Sequence, residues 1–172
     1  MTPITLQKQL GKKDPFSCPE EEACLNLRRT FSLLDHRGEQ YFKANGLSHA
    51  TYNVLRILRG MSRQSDKAPA KVRSSDIAKW LVSAVPDLTR LVDRLIGEGF
   101  VERTRCEEDR RVVFVGITRK GLQRLAKIDK SLADHNQTLL GHMSRKELDT
   151  LNRLMVKARS SVETNTQPDR SS

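Results

Sequence analysis

The residues of this chain best equipped for chemistry are arginines, and they fall into two groups. Thr89, Arg90 and Arg94 lie on one side of a helical stretch whose other side is apolar, with Ser83 and Asp87 just ahead of them. A guanidinium is a planar fork of donors that pairs bidentately with a guanine edge, a phosphate or a carboxylate. Arg90 is the best placed of these for a base edge. The alternative at Arg90 and Arg94 is pairing with Asp87 and Asp93 at helical spacing. The second group is Glu107-Glu108-Asp109-Arg110-Arg111. An acidic cluster repels a polyanion, so its presence needs a reason. Asp109 can fix Arg111, two residues on, by a charge-assisted hydrogen bond. Arg111 so held suits a narrow minor groove, where the negative potential is enhanced. The alternative is a polar turn whose charges serve solubility. Ser74 and Ser75, heading another helix, suit a phosphate.

Other chemistries find no support. His36, His49, His135 and His142 are scattered, and no phosphate loop or Ser/His/Asp arrangement is present, so an enzyme is not expected. Three cysteines, Cys18, Cys24 and Cys106, make neither a disulfide framework nor a zinc spacing, and neither metal nor cofactor is expected. Cys24 lies on an apolar stripe, where a thiol behaves as a small hydrophobe; Cys106 falls near the tip of the acidic run.

Charge is unevenly shared. The net +10 of these 172 residues is zero over residues 1–42, peaks at +5 over 43–72, and is +2 over 73–121. A basic excess inside a periodic stretch is the electrostatic footprint of phosphate binding, though a solvated basic face shows the same sign. No run approaches the roughly 18–20 apolar residues of a membrane span. The first 15 residues lack the apolar centre of a signal peptide. A cytoplasmic, thiol-reduced protein is expected, without membrane contact.

Six helices and a hairpin would position these groups. Residues 1–16 and 161–172 read as flexible tails. Ser17-Cys18-Pro19-Glu20 is a capping-box pattern opening a long helix, with Cys24, Leu27, Phe31, Leu34, Gly38 and Tyr41 on one stripe and Asn45-Gly46 at its end. Ser48 caps a second helix carrying Tyr52, Leu55, Ile57 and Leu58, and residues 61–71 form a polar linker. A short third helix runs from Ser74/Ser75 through Ile77, Ala78, Trp80 and Leu81. A fourth starts at Ser83, buries Val85, Leu88, Leu91, Val92, Leu95 and Ile96, and stops at Gly97–Gly99. The period then turns extended: Phe100–Thr104 and Val112–Ile117 are strands joined by a tip at Cys106–Arg111. Thr118 caps a fifth helix, and Ser144-Arg-Lys-Glu147 opens a sixth. Two short helices on a tight turn, then a hairpin, make a winged helix-turn-helix, whose second helix fits the major groove.

Several stretches carry a family resemblance. Pro86-Asp-Leu-Thr-Arg-Leu-Val-Asp-Arg-Leu95, Gly99-Phe-Val-Glu-Arg103, Glu108-Asp-Arg-Arg-Val-Val113 and Ile117-Thr-Arg-Lys-Gly121, in this order and spacing, closely resemble the MarR family of bacterial transcriptional regulators. Leu47–Leu58 is similar to that family's helix before the helix-turn-helix, and the likeness covers roughly residues 20–160. The resemblance implies a mainly α fold with a small β-hairpin wing, in which a winged helix-turn-helix DNA-binding lobe (47–117) joins a helical dimerisation domain (17–46 and 118–160). It further implies a homodimer on double-stranded DNA, a pseudo-palindromic site, and an Asp-x-Arg wing motif falling on Asp109 and Arg111. Many members are repressors released by a small aromatic or phenolic effector. Some sense oxidants through a cysteine near the first helix, with which Cys24 is to be compared. A winged helix that binds protein instead is the reading from another class.

Overall fold

Local signals set the helix ends. The structure, a computed structural model, describes residues 4–63, 72–83, 85–105 and 112–163. The elements in order are α1 (Leu6–Gln9), α2 (Pro19–Ala44), α3 (His49–Arg63), β1 (Val72–Arg73), α4 (Ser74–Ala78), α5 (Leu88–Gly97), β2 (Val101–Arg105), β3 (Val113–Ile117), α6 (Arg119–Leu140) and α7 (Arg145–Glu163). The chain divides into two units, residues 1–129 and 130–172, with the boundary inside α6.

α1 was not expected: residues 1–16 read as a featureless tail. Leu6 is nonetheless buried, and the Arg29 Nε–H of α2 donates to Gln9 Oε1 at 2.7 Å. A four-residue turn is too short to register as a period, and tertiary contact holds it. The cap of α2 is shifted by one residue from the sequence reading. Cys18 is the N-cap, its Sγ accepting the Glu21 N–H at 3.4 Å, with Pro19 in the first turn. The Glu21 carboxylate accepts from the Ser17 hydroxyl at 2.6 Å and N–H at 2.7 Å, and these bonds hold its pKa below the ordinary value. α2 ends as Asn45-Gly46 predicts: Leu47 N–H donates to Phe42 O and Gly46 N–H to Lys43 O, both at 2.9 Å, with Gly46 at φ +67°. That is a Schellman closure, which needs the left-handed residue.

α3 opens on reciprocal bonds between Ser48 and Thr51: each backbone N–H donates to the other's hydroxyl, at 2.8 and 3.1 Å. It contributes Val54, Leu55 and Leu58 to the core of the first unit, where Ile77, Val92, Leu95, Val115, Leu125 and Ile128 are also fully buried. Three strands rather than two make the sheet, in the order β1-β3-β2 and antiparallel throughout. Val72 pairs with Val115, and Val115 in turn with Arg103. A two-residue β1 leaves no alternation to read.

α6 starts at Thr118, whose hydroxyl accepts the Gly121 N–H at 3.1 Å. In the second unit, α7 opens on the expected capping box: Ser144 N–H donates to Glu147 Oε2 at 2.8 Å, and Glu147 N–H returns to Ser144 Oγ at 3.4 Å. The Ser144 hydroxyl also holds the Glu147 carboxyl below its ordinary pKa. Among the described residues no helix is long and apolar enough to cross a membrane.

Candidate nucleic-acid interface

α5 is the element on which the exposed functional groups stand. Val92 and Leu95 are wholly buried, and Leu88, Leu91 and Ile96 half-buried. Thr89, Arg90 and Arg94 are exposed on the other side. Periodicity predicted this division, since residues three and four apart share a face. The helix begins at Leu88, however, and not at Ser83, which lies exposed ahead of it. Asp87 is the N-cap: its Oδ1 accepts the Arg90 N–H at 2.9 Å. Serine and aspartate both cap, and Pro86, just before Asp87, restricts its predecessor away from helical geometry. The Asp87 carboxylate therefore serves its own helix, and holds Arg90 by the backbone instead of the guanidinium.

The expected pairings along α5 are also replaced. Arg94 Nε lies 3.0 Å from Glu98 Oε1, one turn on. Asp93 pairs with neither neighbouring arginine but with Arg103 of β2, Oδ1 to Nη2 at 2.7 Å. Among the described residues Arg90 has no ion-pair partner, so its fork faces outward unspent.

Arg73, Ser74, Ser75, Thr89, Arg103, Val112 and Val113 line a concavity of about 450 Å³. It brings together Ser74, Ser75 and Thr89, all singled out from sequence, with Arg73 and Arg103, which were not. α4 is only five residues long, and its N-cap, Arg73, makes no side-chain cap bond. Its dipole is correspondingly slight, so an anion here depends on side chains and not on the helix end. Sequence could have suggested Arg103 through its partner: Asp93 and Arg103 bracket the turn between helix and hairpin. Asp109, Arg110 and Arg111, with Cys106, lie outside the described residues.

Trp80 departs most from expectation. Its hydropathy assigns it to the apolar set of the third helix, but α4 ends at Ala78 and Trp80 is 62% exposed. Cys24, expected on a buried stripe, is exposed along with Cys18.

Helices α3, α4 and α5 with a sheet of β1, β3 and β2 define a winged helix-turn-helix protein. The MarR family model matches residues 47–113. A crystal structure of a MarR transcription factor from Planctomyces limnophilus is 38% identical, covering 82% of this chain and 98% of that one, with TM-score 0.63. The chain belongs to the MarR family. It is 31% identical to the HTH-type transcriptional regulator PapX of Escherichia coli over 64% of each chain. It is 25% identical to a MarR mutant from E. coli complexed with operator DNA, over 77% of this chain and 89% of that one, with TM-score 0.65. The chain spans just under two thirds of the length of the first curated relatives, 64% of PapX and 65% of the repressor YetL of Bacillus subtilis. These relatives are named as regulators, not enzymes.

Proposed function

We propose that the protein is a sequence-specific, dimeric, DNA-binding transcriptional regulator, a repressor in sign. It reads a pseudo-palindromic site with α5 in the major groove and the 106–111 tip, through Asp109 and Arg111, in the minor groove. The single observation that carries this reading is α5 itself. Its buried face is spent on the core, and Thr89, Arg90 and Arg94 stand exposed on the other. A helix so presented fits a groove about 12 Å wide, where a guanidinium can meet guanine O6 and N7 together. Residues 17–46 and 118–160 form the dimerisation domain in this reading, and 47–117 the reading lobe. Its place is the cytoplasm. Modulation by a small aromatic or phenolic effector rests on the family alone.

Titration of the protein against its own promoter region tests the reading. A specific, salt-sensitive complex on paired half-sites is expected. Affinity indifferent to sequence at about 150 mM salt overturns it and favours a protein-binding winged helix. Within that titration, Arg90→Ala should cost about 1–3 kcal/mol and relax preference at one base position. A uniform loss across sequences reassigns Arg90 to a phosphate.

A further inference from the structure

Three polar bonds fasten the first half of α6, and all of them lie within the first unit. The Tyr41 hydroxyl of α2 donates to Ile128 O at 3.1 Å. Arg124 donates through Nη2 to Asn45 O, at the end of α2. Arg59 of α3 pairs with Asp129 through Nη1 and Oδ2. The first two bonds join α6 to α2, and the third ties α3 to α6. The head of α3 has a tie of its own to α2. There the His49 N–H donates to Glu39 Oε1 at 3.1 Å, and His49 Nδ1 lies 3.7 Å from Asp35 Oδ1. That tie is exposed, and its imidazole is charged only when protonated. Arg59 is charged at every working pH, and its side chain is only 19% accessible. Tyr52 stands beside the pair: burial raises its hydroxyl pKa, and the Asp129 carboxylate raises it further.

We infer that the Arg59–Asp129 pair is a clasp that sets the angle of the reading lobe on the dimerisation helices, and so selects the separation of the two half-sites. The inference rests on the dimeric, DNA-binding reading above and adds two positioning residues to it. α3 packs closely against β3 and α5 but approaches α6 at few points. Leu125 and Ile128 of α6 are buried, yet apolar burial has no preferred direction and leaves an angle soft. A guanidinium on a carboxylate is directional. Because α5 rests on α3, the tilt of α3 against α6 decides where Arg90 points. A lobe of this size is roughly 20 Å deep, so a tilt of about 10° at the clasp moves its far side by about 3 Å, close to one base-pair step. A pair this shielded is weak evidence for stability, and fixing a unique geometry is the use it is suited to.

The test sets the full-length wild type beside Arg59→Ala, Asp129→Ala and the double variant. The probes are duplexes carrying the promoter half-sites at their own separation, or moved by one, two and three base pairs, with a single half-site as reference. For the wild type a shift of one base pair should cost about tenfold, since it displaces a half-site by about 3.4 Å and turns it by about 35°. Each single variant should cut that penalty to about threefold or less, while its affinity for a single half-site stays within about twofold of the wild type. The double variant should tolerate no more than either single one, because both residues act through one bond. Any loss of folded protein lowers binding to every duplex alike and leaves the ratio between spacings intact. A wild-type ratio kept by the variants, with affinity lowered evenly, makes the pair a structural brace and overturns the clasp. Additive effects in the double variant overturn it too, as does a wild type that prefers its sequence but is indifferent to spacing. Wild-type protein that binds without sequence preference sinks the regulator reading itself.

Discussion

At the scale of the residue, Asp87 has a role in its own helix that its spacing does not announce. On the sequence it stands with Thr89, Arg90 and Arg94 as a solvent- or DNA-facing group. In the structure its Oδ1 closes the first turn of α5 on the Arg90 N–H. A cap of this kind is worth about 1 kcal/mol, and it also fixes the helix start from which Arg90 projects. Asp87→Ala should therefore lower stability by about 1 kcal/mol and weaken DNA binding, while Asp87→Ser restores both. Thermal unfolding beside the duplex titration checks this. A serine variant that regains stability but not binding would return the carboxylate itself to the interface. The displaced helix start has a physical source. Serine and aspartate are equal as caps, so Ser83 and Asp87 competed for one role, and Pro86 decided between them by constraining the chain. Arg90 and Arg94 were legible because a face is a matter of period. Arg103 was not, because its partner lies on a different element.

At the scale of the element, the junction between α5, β2 and α6 is held by small contacts that hydropathy does not report. Gly99, at φ +73°, closes α5 as Phe100 N–H donates to Leu95 O at 2.9 Å. The Thr118 hydroxyl meets Gly99 O at 2.8 Å and heads α6. Gly121 then lies so near that a Cβ there would collide with Phe100 O and come within 2.8 Å of Ile117 Cγ1. The obstacle is backbone, which cannot rotate aside as a side chain can. Gly121→Ala should thus destabilise the protein by roughly 1–3 kcal/mol, despite alanine's better helix propensity. Chemical denaturation measures it, and a stabilised variant would mean that α6 does not approach the sheet this closely. Long elements with caps were readable for the same reason that this junction was not. The capping box at Ser144 and the closure at Asn45-Gly46 are local, whereas β1, α1 and the end of α4 at Ala78 depend on what packs against them. The hydropathy of Trp80 suits the third helix, and nothing in the local sequence sets the helix end at Ala78, before it.

For the whole molecule, charge and apolar surface divide the labour. The +5 of residues 43–72 is partly spent within the fold, because Arg59 of α3 pairs with Asp129 of α6. Arg56 on the same helix stays exposed and adds to the long-range attraction of a polyanion. Residues 1–42, with no net charge, hold most of α2 and its unburied stripe. Phe31 is 62% exposed and Leu27 37%, on the stripe that the periodicity of this helix announces. A neutral helix with such a seam is suited to a like partner, since no charge opposes the approach of a second copy. The seam was legible in sequence, and that it is unfilled within one chain was not. Phe31→Glu sets the consequence. Because Phe31 is so exposed, the substitution should leave the unfolding of an isolated chain nearly unchanged. Burial of two phenylalanines across a dimer is worth roughly 3–6 kcal/mol, so the dimer dissociation constant should rise by about two to four decades. Sedimentation at micromolar concentration should then find monomers, and the affinity for paired half-sites should fall to that for one. A dimer that survives Phe31→Glu intact would place the association surface elsewhere and leave the α2 stripe to another partner.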